Sequence, residues 1–305
     1  MALLGCSQGA STNEDSTPMA AEEPTTQAEP SSSPVQAGEW EQLRPLPAAR
    51  SEVAAVALEG KIYVIGGLTP DGGVSSKVEA YDPAEDSWDE VAALPVPLHH
   101  AAAAVVQGKL YVIGGFVRGF APTDSVFEYD PATDSWQAKK PVPTARGALA
   151  ATALNGVIYA LGGVKGFGLK NVAALEVYDP TLDTWESRSP MLRARDHLAA
   201  GVVDGKIYAI GGRLRHNFGS NLNFNEEYDP TSDRWSMKAP LPTTRSGISA
   251  AVLEDRIYVF GGEGRGGTFD ETEAYGPETD SWERLTSMPA ADMAWEQLPS
   301  TVPST

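Results

Sequence analysis

The sequence predicts an all-β propeller of four-stranded antiparallel blades, because one unit recurs five times at a nearly constant interval. Each unit carries two adjacent glycines at the end of an apolar run, and successive pairs lie 48, 48, 49 and 50 residues apart. A tyrosine follows each pair, and a tryptophan follows seven residues after the tyrosine. A period near fifty residues indicates a stacked supersecondary unit. The members are Gly66-Gly67, Gly114-Gly115, Gly162-Gly163, Gly211-Gly212 and Gly261-Gly262; Tyr81, Tyr129, Tyr178, Tyr228 and Tyr275; and Trp88, Trp136, Trp185, Trp235 and Trp282.

The first unit illustrates how each strand follows from the sequence. Residues 53–58 are small and apolar, which suits a strand crowded near a central axis. Glu59-Gly60 predicts a tight hairpin turn. The continuous apolar run 62–65 is typical of a strand that is covered on both faces. After a variable loop, a third strand ends at Tyr81 and a fourth begins at Trp88, which gives four strands per unit.

The number of blades is left open between two alternatives. Trp40 resembles the start of a fourth strand that no earlier strands precede, and residues 288–292 resemble the blade-starting residues 46–50. After Trp282, however, no sixth glycine pair follows. The sequence therefore predicts five complete blades plus a partial sixth. The alternative is a five-bladed ring to which Trp40 or Trp295 adds an edge strand that protects the sheet from aggregation.

These repeats resemble the Kelch family of β-propellers over about residues 40–290. The resemblance implies a non-catalytic binding or interaction module that recognises a protein or glycan ligand through its loop face. The alternative that it implies is a carbohydrate-active enzyme of the sialic-acid mutarotase type, because such a reaction needs only well-placed acid and base groups. The copper oxidases of this family need a cysteine crosslinked to a tyrosine, and no cysteine lies within the repeats.

Composition narrows the classes of partner and cofactor. The net charge is −18, so a nucleic acid partner is not expected, since phosphate contacts need a basic face. No segment has the roughly 20 consecutive apolar residues of a membrane span. Cys6 is the only cysteine, which excludes an internal disulfide and a thiolate metal cluster. We expect a monomer with no cofactor and no metal.

The N-terminal residues differ from the repeats. Leu3-Leu4-Gly5-Cys6 resembles the lipobox of bacterial lipoproteins, so we interpret residues 1–6 as the remnant of such a signal with Cys6 as the lipidation site. Residues 7–38 are rich in Ser, Thr, Pro and Glu, which predicts a disordered spacer. The propeller is assigned to 39–298 and a C-terminal tail to 299–305. The expected location is the bacterial cell envelope, lipid-anchored or secreted, with the cytoplasm as the alternative.

Candidate ligand-binding residues lie where the repeats differ from one another. The loops after the glycine pairs carry Arg118, Lys165, Arg215 and Arg265. Aromatic residues accompany them, namely Phe116, Phe120, Phe167 and Phe218. Basic and aromatic side chains on one face of an acidic protein indicate capture of an acidic peptide or an anionic sugar. The alternative is that these are ordinary solvated loop residues.

A second candidate position lies fourteen residues before each glycine pair. It is occupied by Glu52, His100, Ala148, His197 and Gly247. The Kelch substrate adaptors that the chain resembles can place an arginine here, so this chain departs from their pattern. Glu52, His100 and His197 could together support acid–base chemistry or weak metal binding. The alternative, which we favour, is that each histidine hydrogen-bonds a loop carbonyl, and no catalytic residue is assigned.

Two other series of charged residues repeat in register and are interpreted as scaffold. Sixteen residues before the glycine pair stand arginines, with a leucine in the second unit, and each of the first four tyrosines is followed by an aspartate. The residues are Arg50, Leu98, Arg146, Arg195 and Arg245, and Asp82, Asp130, Asp179 and Asp229.

Overall fold

The computed structural model describes residues 40–215 and 217–290, which form an all-β chain with one short helical turn. The strands are β1 Ala54–Leu58, β2 Lys61–Ile65, β3 Val78–Asp82, β4 Ser87–Val91, β5 Ala102–Val106, β6 Lys109–Ile113, β7 Phe116–Val117, β8 Ala121–Pro122, β9 Val126–Asp130, β10 Ser135–Ala138, β11 Ala150–Leu154, β12 Val157–Leu161, β13 Val164–Lys165, β14 Lys170–Asn171, β15 Leu175–Asp179, β16 Thr184–Arg188, β17 Ala199–Val203, β18 Lys206–Ile210, β19 Asn225–Asp229, β20 Arg234–Met237, β21 Ser249–Leu253, β22 Arg256–Phe260, β23 Glu263–Gly264, β24 Gly267–Thr268, β25 Thr272–Gly276 and β26 Ser281–Arg284. A 3₁₀ turn spans Phe218–Ser220.

Twenty of these strands form five four-stranded antiparallel sheets, which are the five blades. Blade one is β1-β2-β3-β4, blade two β5-β6-β9-β10, blade three β11-β12-β15-β16, blade four β17-β18-β19-β20 and blade five β21-β22-β25-β26. The predicted hairpin turn is confirmed, because Glu59 and Gly60 both have a positive φ, of 52° and 79°, as a type I′ turn requires. The short hairpins β7-β8, β13-β14 and β23-β24 lie in the loops after the glycine pairs of blades two, three and five.

The core lies between blades. Four apolar clusters join blade one to two, two to three, three to four and four to five. Tyr63 of blade one and Tyr129 of blade two show the pattern, with ring centroids 5.8 Å apart. The sheets therefore pack face to face, and burial of these faces supplies the main stabilising free energy of the fold.

The tryptophans link the blades at the outer rim. Each indole Nε1 donates to the backbone oxygen of the residue four positions after the preceding tryptophan, at 2.7–3.1 Å. These bonds join Trp88 to Arg44, Trp136 to Ala92, Trp185 to Lys140, Trp235 to Ser189 and Trp282 to Ala239. Trp40 continues the series, because its Nε1 donates to the oxygen of Thr286, four positions after Trp282, at 3.1 Å. Trp40 therefore holds the place of a sixth blade's tryptophan.

The inner part of that sixth position differs from the other blade interfaces. Among the described residues, no apolar cluster joins blade five to blade one. Leu253 of β21 is 51% exposed, and Ala55 and Ala57 of β1 are exposed too. The prediction of five complete four-stranded blades is thus confirmed. Trp40 lies in none of the described strands, and Trp295 lies outside the described residues.

The arginine series is scaffold, as predicted. Each arginine forms a buried ion pair with a glutamate on the third strand of its own blade, and in blade two Leu98 and Phe127 replace both partners. The pairs are Arg50–Glu79, Arg146–Glu176, Arg195–Glu226 and Arg245–Glu273. The aspartate series caps turns, since each carboxylate accepts from the backbone N–H two residues later.

The predictions for Cys6, for the spacer 7–38 and for the tail 299–305 concern residues outside the described part of the chain. Within the described part of the chain, no helix has the length and apolar character needed to cross a membrane.

Candidate functional site

A ring of backbone surrounds the propeller axis where the innermost strands begin. Its members are the residues fourteen positions before each glycine pair, and all five have a φ between 53° and 59°. Four of the five backbone N–H groups donate to the oxygen of the neighbour in the preceding blade, from His100 to Glu52, Ala148 to His100, His197 to Ala148 and Gly247 to His197. These bonds hold the left-handed conformation, which non-glycine residues otherwise avoid.

The ring surrounds an axial cavity of about 120 Å³. The structure places Glu52, His100 and His197 together in its lining, as the sequence suggested. The two imidazole rings meet edge to face with their centroids 5.0 Å apart. One potential ligand atom from each of the three residues lies within 4.8 Å of the others.

His100 pairs with side chains, so the expectation of a loop carbonyl as its partner was wrong. Its Nε2 lies 2.8 Å from Glu52 Oε2, and its Nδ1 lies 2.6 Å from Nδ1 of His99. Phe116 and Phe120 pack against its ring. Burial lowers the pKa of His100 to about 3, and the nearby Arg213 lowers it further than Asp196 raises it. His100 is therefore neutral at physiological pH.

His197 is fixed by two charged neighbours. Its Nδ1 lies 2.5 Å from Asp196 Oδ1, and its Nε2 lies 2.9 Å from a terminal nitrogen of Arg213. Because a guanidinium can only donate, His197 Nε2 accepts and Nδ1 carries the proton that it donates to Asp196. His197 is thus held as a single tautomer in a fixed orientation.

Arg213 organises the charges beneath the ring. It is 1% exposed, forms an ion pair with Glu263, lies 3.3 Å from Asp196 Oδ1 and stacks over the ring of Phe218 at 4.5 Å. Burial raises the pKa of Glu263 to about 7; the attraction of Arg213 opposes this rise, and the negative charges of Glu52 and Asp196 add to it. The buried guanidinium of Arg213 therefore lies among three carboxylates, those of Glu52, Asp196 and Glu263.

Four residues of this network were not predicted to lie beside the histidines, namely His99, Asp196, Arg213 and Glu263. They occupy two positions that bridge each other in every blade, one before the ring residue and one after the glycine pair. The second position is apolar in blades one to three and charged in blades four and five. This change of residue type in register was the signal that could have identified Arg213 and Glu263.

The four predicted cations lie on the loops at the same end of the propeller as the ring. Arg118, Lys165, Arg215 and Arg265 are exposed, and none of their side chains forms an ion pair with any residue in 40–215 or 217–290. We call these four residues the basic rim. Their positions are as expected, and their role in binding stays a prediction.

The aromatic residues near the rim divide into two groups. Phe167 is 92% exposed, and Phe120 and Phe218 are partly exposed. Phe116, by contrast, is fully buried against Ala148 and Val164, so it supports the loops and is not available at the surface. The expectation that all four aromatics would face a ligand was therefore wrong for Phe116, because its bridge to His99 turns it into the core.

A groove of about 490 Å³ runs between the loops of blades three and four, beside the rim. Lys170, Asn171 and Arg215 line it. Asn171 joins the groove to the axial network, because its side chain donates to Asp196 at 2.5 Å and accepts from the backbone of Arg215. The groove brings a further exposed cation, Lys170, next to the predicted ones.

Comparisons with known proteins agree with this architecture. The KLHDC2/KLHL20/DRC7 Kelch-repeats domain matches residues 33–212, and the Kelch motif matches residues 194–242 and 244–289. Kelch-like protein 35 of Mus musculus is 45% identical over 47 residues, which are 15% of this chain and 8% of that protein. The solved structure titled "Structure of YjhT" superposes with a TM-score of 0.72 at 19% identity, covering 82% of this chain and 88% of that one, and shows the same fold. The chain belongs to the Kelch-repeat family of β-propellers.

Proposed function

We propose that this protein is a non-catalytic binding module that captures an anionic protein or glycan ligand on its loop face. The observation that carries the proposal is the basic rim. Four exposed cations on the loops of four blades have no ion-pair partner among the described residues, on a chain whose net charge is −18. Elsewhere on the blades, cations such as Lys109 and Lys206 are paired with aspartates.

The chemistry of the rim suits carboxylate or sulfate groups. Arginine binds such groups through two parallel N–H donors, which gives geometric specificity as well as affinity. The exposed Phe167 and the half-exposed Phe218 offer apolar faces beside these charges. Because the chain carries a net charge of −18, the protein as a whole repels an anionic ligand, and the cations of the rim attract it to the loop face.

The test is a glycan and acidic-peptide array probed with the wild type and two triple variants. The rim variant is Arg118→Gln, Arg215→Gln and Arg265→Gln. The control variant is Lys206→Gln, Arg234→Gln and Arg256→Gln, which changes the net charge equally at the opposite ends of the strands. We expect the rim variant to lose at least tenfold in affinity and the control to retain it. Equal binding by both variants would contradict the proposal.

We further propose that the module is displayed at a bacterial cell envelope through a lipid on Cys6, and that it acts as a monomer. The lipobox-like residues 3–6 support the anchor. Expression of the gene with its natural upstream region should yield a detergent-partitioning protein, and Cys6→Ser should release it to the aqueous phase. Partition of both forms into water would reject the anchor. Light scattering measures the molar mass of the propeller in solution, and a mass larger than that of one chain would contradict the monomer.

An enzyme of the sialic-acid mutarotase type is a second candidate, favoured by the axial histidines. His100 contacts Glu52 and His99, and His197 contacts Asp196, so each imidazole belongs to a hydrogen-bonded chain that could move a proton. Anomer exchange of a sialic acid, followed by NMR, should be faster with the wild type than with His100→Asn. Exchange at the rate of protein-free buffer would eliminate this candidate.

A further inference from the structure

We propose that Glu52, His100 and His197 bind one divalent first-row transition-metal ion, zinc or a chemically similar ion, in the axial cavity. Their ligand atoms lie within 4.8 Å of one another, the spacing of groups that can share one ion. Two imidazoles and one carboxylate form a ligand set used for zinc and for non-haem iron. No metal was expected from the sequence, and the metal site does not depend on the ligand proposed for the basic rim.

The three ligands are presented by a rigid frame. Each belongs to a different blade and stands just before that blade's innermost strand. The backbone bonds of the ring join His100 to Glu52 directly and His197 to His100 through Ala148. A site built in this way needs little rearrangement when an ion binds, which favours affinity.

Outer partners hold both imidazoles in orientations suitable for metal binding. Asp196 accepts from Nδ1 of His197, and His99 lies 2.6 Å from Nδ1 of His100. A carboxylate on the outer nitrogen of a metal-binding histidine is a recurrent arrangement, because it fixes the ring and makes the inner nitrogen a better ligand. In His197, Nε2 is then the atom that binds the ion. In His100, Nε2 binds it once the proton that this nitrogen donates to Glu52 has moved to Nδ1, which faces His99.

The charges of the cavity also suit a divalent cation. Glu52 lines the cavity, and Asp196 and Glu263 lie beside it in ion pairs with Arg213. The negative charges of these three carboxylates attract a divalent cation to this place.

Arg213 competes with the ion for His197 Nε2. When an ion takes that nitrogen, Arg213 retains Glu263, Asp196 and the ring of Phe218 as partners. The arginine can therefore release the histidine without becoming isolated. The cavity of about 120 Å³ also has room for an ion and a bound water, whose share of liquid volume is roughly 30 Å³.

The experiment titrates the untagged full chain with Co²⁺, whose visible d–d bands report its coordination, and then displaces it with Zn²⁺. We expect one ion per chain, with bands of a four- or five-coordinate site. Glu52→Gln and His100→Asn should each weaken binding by about 100-fold, and Asp196→Asn, a positioning residue, by roughly 10- to 100-fold. The matched control is Glu59→Gln, an equal charge change in an exposed hairpin turn, which should bind as tightly as the wild type.

Glu52→Gln keeps the shape of the side chain, so it serves if a histidine variant fails to fold, and thermal melting verifies each variant. If the wild type binds no stoichiometric Co²⁺ or Zn²⁺, the proposal is wrong. Stoichiometric binding with the same affinity in Glu52→Gln and Glu59→Gln would place the ion elsewhere and would also overturn it.

Discussion

Removing one partner of the buried Arg245–Glu273 pair should destabilise the propeller far more than replacing both partners. Both side chains are fully buried, and the guanidinium lies 2.7 Å from the carboxylate. Loss of Glu273 leaves an uncompensated cation in the core, and loss of Arg245 leaves a buried carboxylate whose remaining cation, Arg284, lies farther away at 3.6 Å. Each change costs about 3–5 kcal/mol. Blade two carries Leu98 and Phe127 at the equivalent positions, so the fold accepts an apolar pair in place of the ion pair.

The double variant Arg245→Leu/Glu273→Phe introduces the same apolar pair into blade five. It leaves no buried charge and loses the hydrogen bonds from Arg245 to the oxygen of Val259 and from Thr243 to Glu273, each of which contributes about 1 kcal/mol. We therefore expect a loss of about 2 kcal/mol, against a sum of about 6–10 kcal/mol for the two single variants. The coupling free energy is then at least about 4 kcal/mol.

The assay is urea unfolding followed by tryptophan fluorescence for the wild type, both single variants and the double variant. The control combines Arg245→Leu with Glu79→Phe, which leaves two different pairs each without one partner and should be at least as unstable as the two single changes added. A double variant Arg245→Leu/Glu273→Phe that loses the full sum of its single variants would refute the reasoning, because the two charges would then contribute independently.

Three other predictions concern the glycine pairs, Trp40 and His100. A Cβ on Gly66 would overlap the backbone oxygen of Leu98, whereas a Cβ on Gly60 would meet no atom within 4 Å, and both residues have a positive φ. Gly66→Ala should therefore lower the melting temperature much more than Gly60→Ala. Equal shifts would contradict this prediction. Trp40→Ala should reduce the free energy of unfolding by about 2 kcal/mol, measured by urea unfolding, because a half-buried aromatic side chain and its hydrogen bond to Thr286 are lost. An unchanged value would show that this contact does not stabilise the propeller. Burial lowers the pKa of His100 from 6.5 to about 3, so as the pH falls from 6.5 toward 3 the unfolded chain binds a proton at this residue that the folded chain does not, and stability is lost over that range. His100→Asn cannot titrate and should show a shallower loss of stability over that range, while identical slopes in urea unfolding would contradict the prediction.

The blades could be predicted from the sequence because each depends on local patterns that five copies repeat. The hairpin at Glu59-Gly60, the buried run 62–65 and the pairing of Tyr81 with Trp88 all lie within one unit. How the propeller closes was left open between two alternatives, although Trp40 was identified as the residue involved. The bond from Trp40 to Thr286 joins residues 246 positions apart, so no pattern within one unit could specify it.

The axial site was predictable only in part, for a similar reason. Counting back from the glycine pairs identified Glu52, His100 and His197, since equivalent residues of a propeller surround one axis. The partners of these residues occupy two other positions of the repeat, one before the ring residue and one after the glycine pair. Asp196 forms a β-bridge with Arg213, and Arg213 forms an ion pair with Glu263 in the next blade. Contacts that cross from one blade to the next depend on how the blades are arranged around the axis, which the spacing of the repeats does not specify.

The backbone of the ring belongs to the fold, and the side chains that it presents are what mark the site. Glu52, His100 and His197 have φ values of 56°, 53° and 53°, a left-handed conformation that costs a residue with a side chain roughly 1–2 kcal/mol. Ala148 and Gly247 adopt the same conformation, with φ values of 53° and 59°, although neither carries a functional group. Strain alone therefore does not identify a functional residue here. The three ionisable side chains are distinguished because they line one cavity and bring their ligand atoms within 4.8 Å of one another, which is the reason to expect function at the axis.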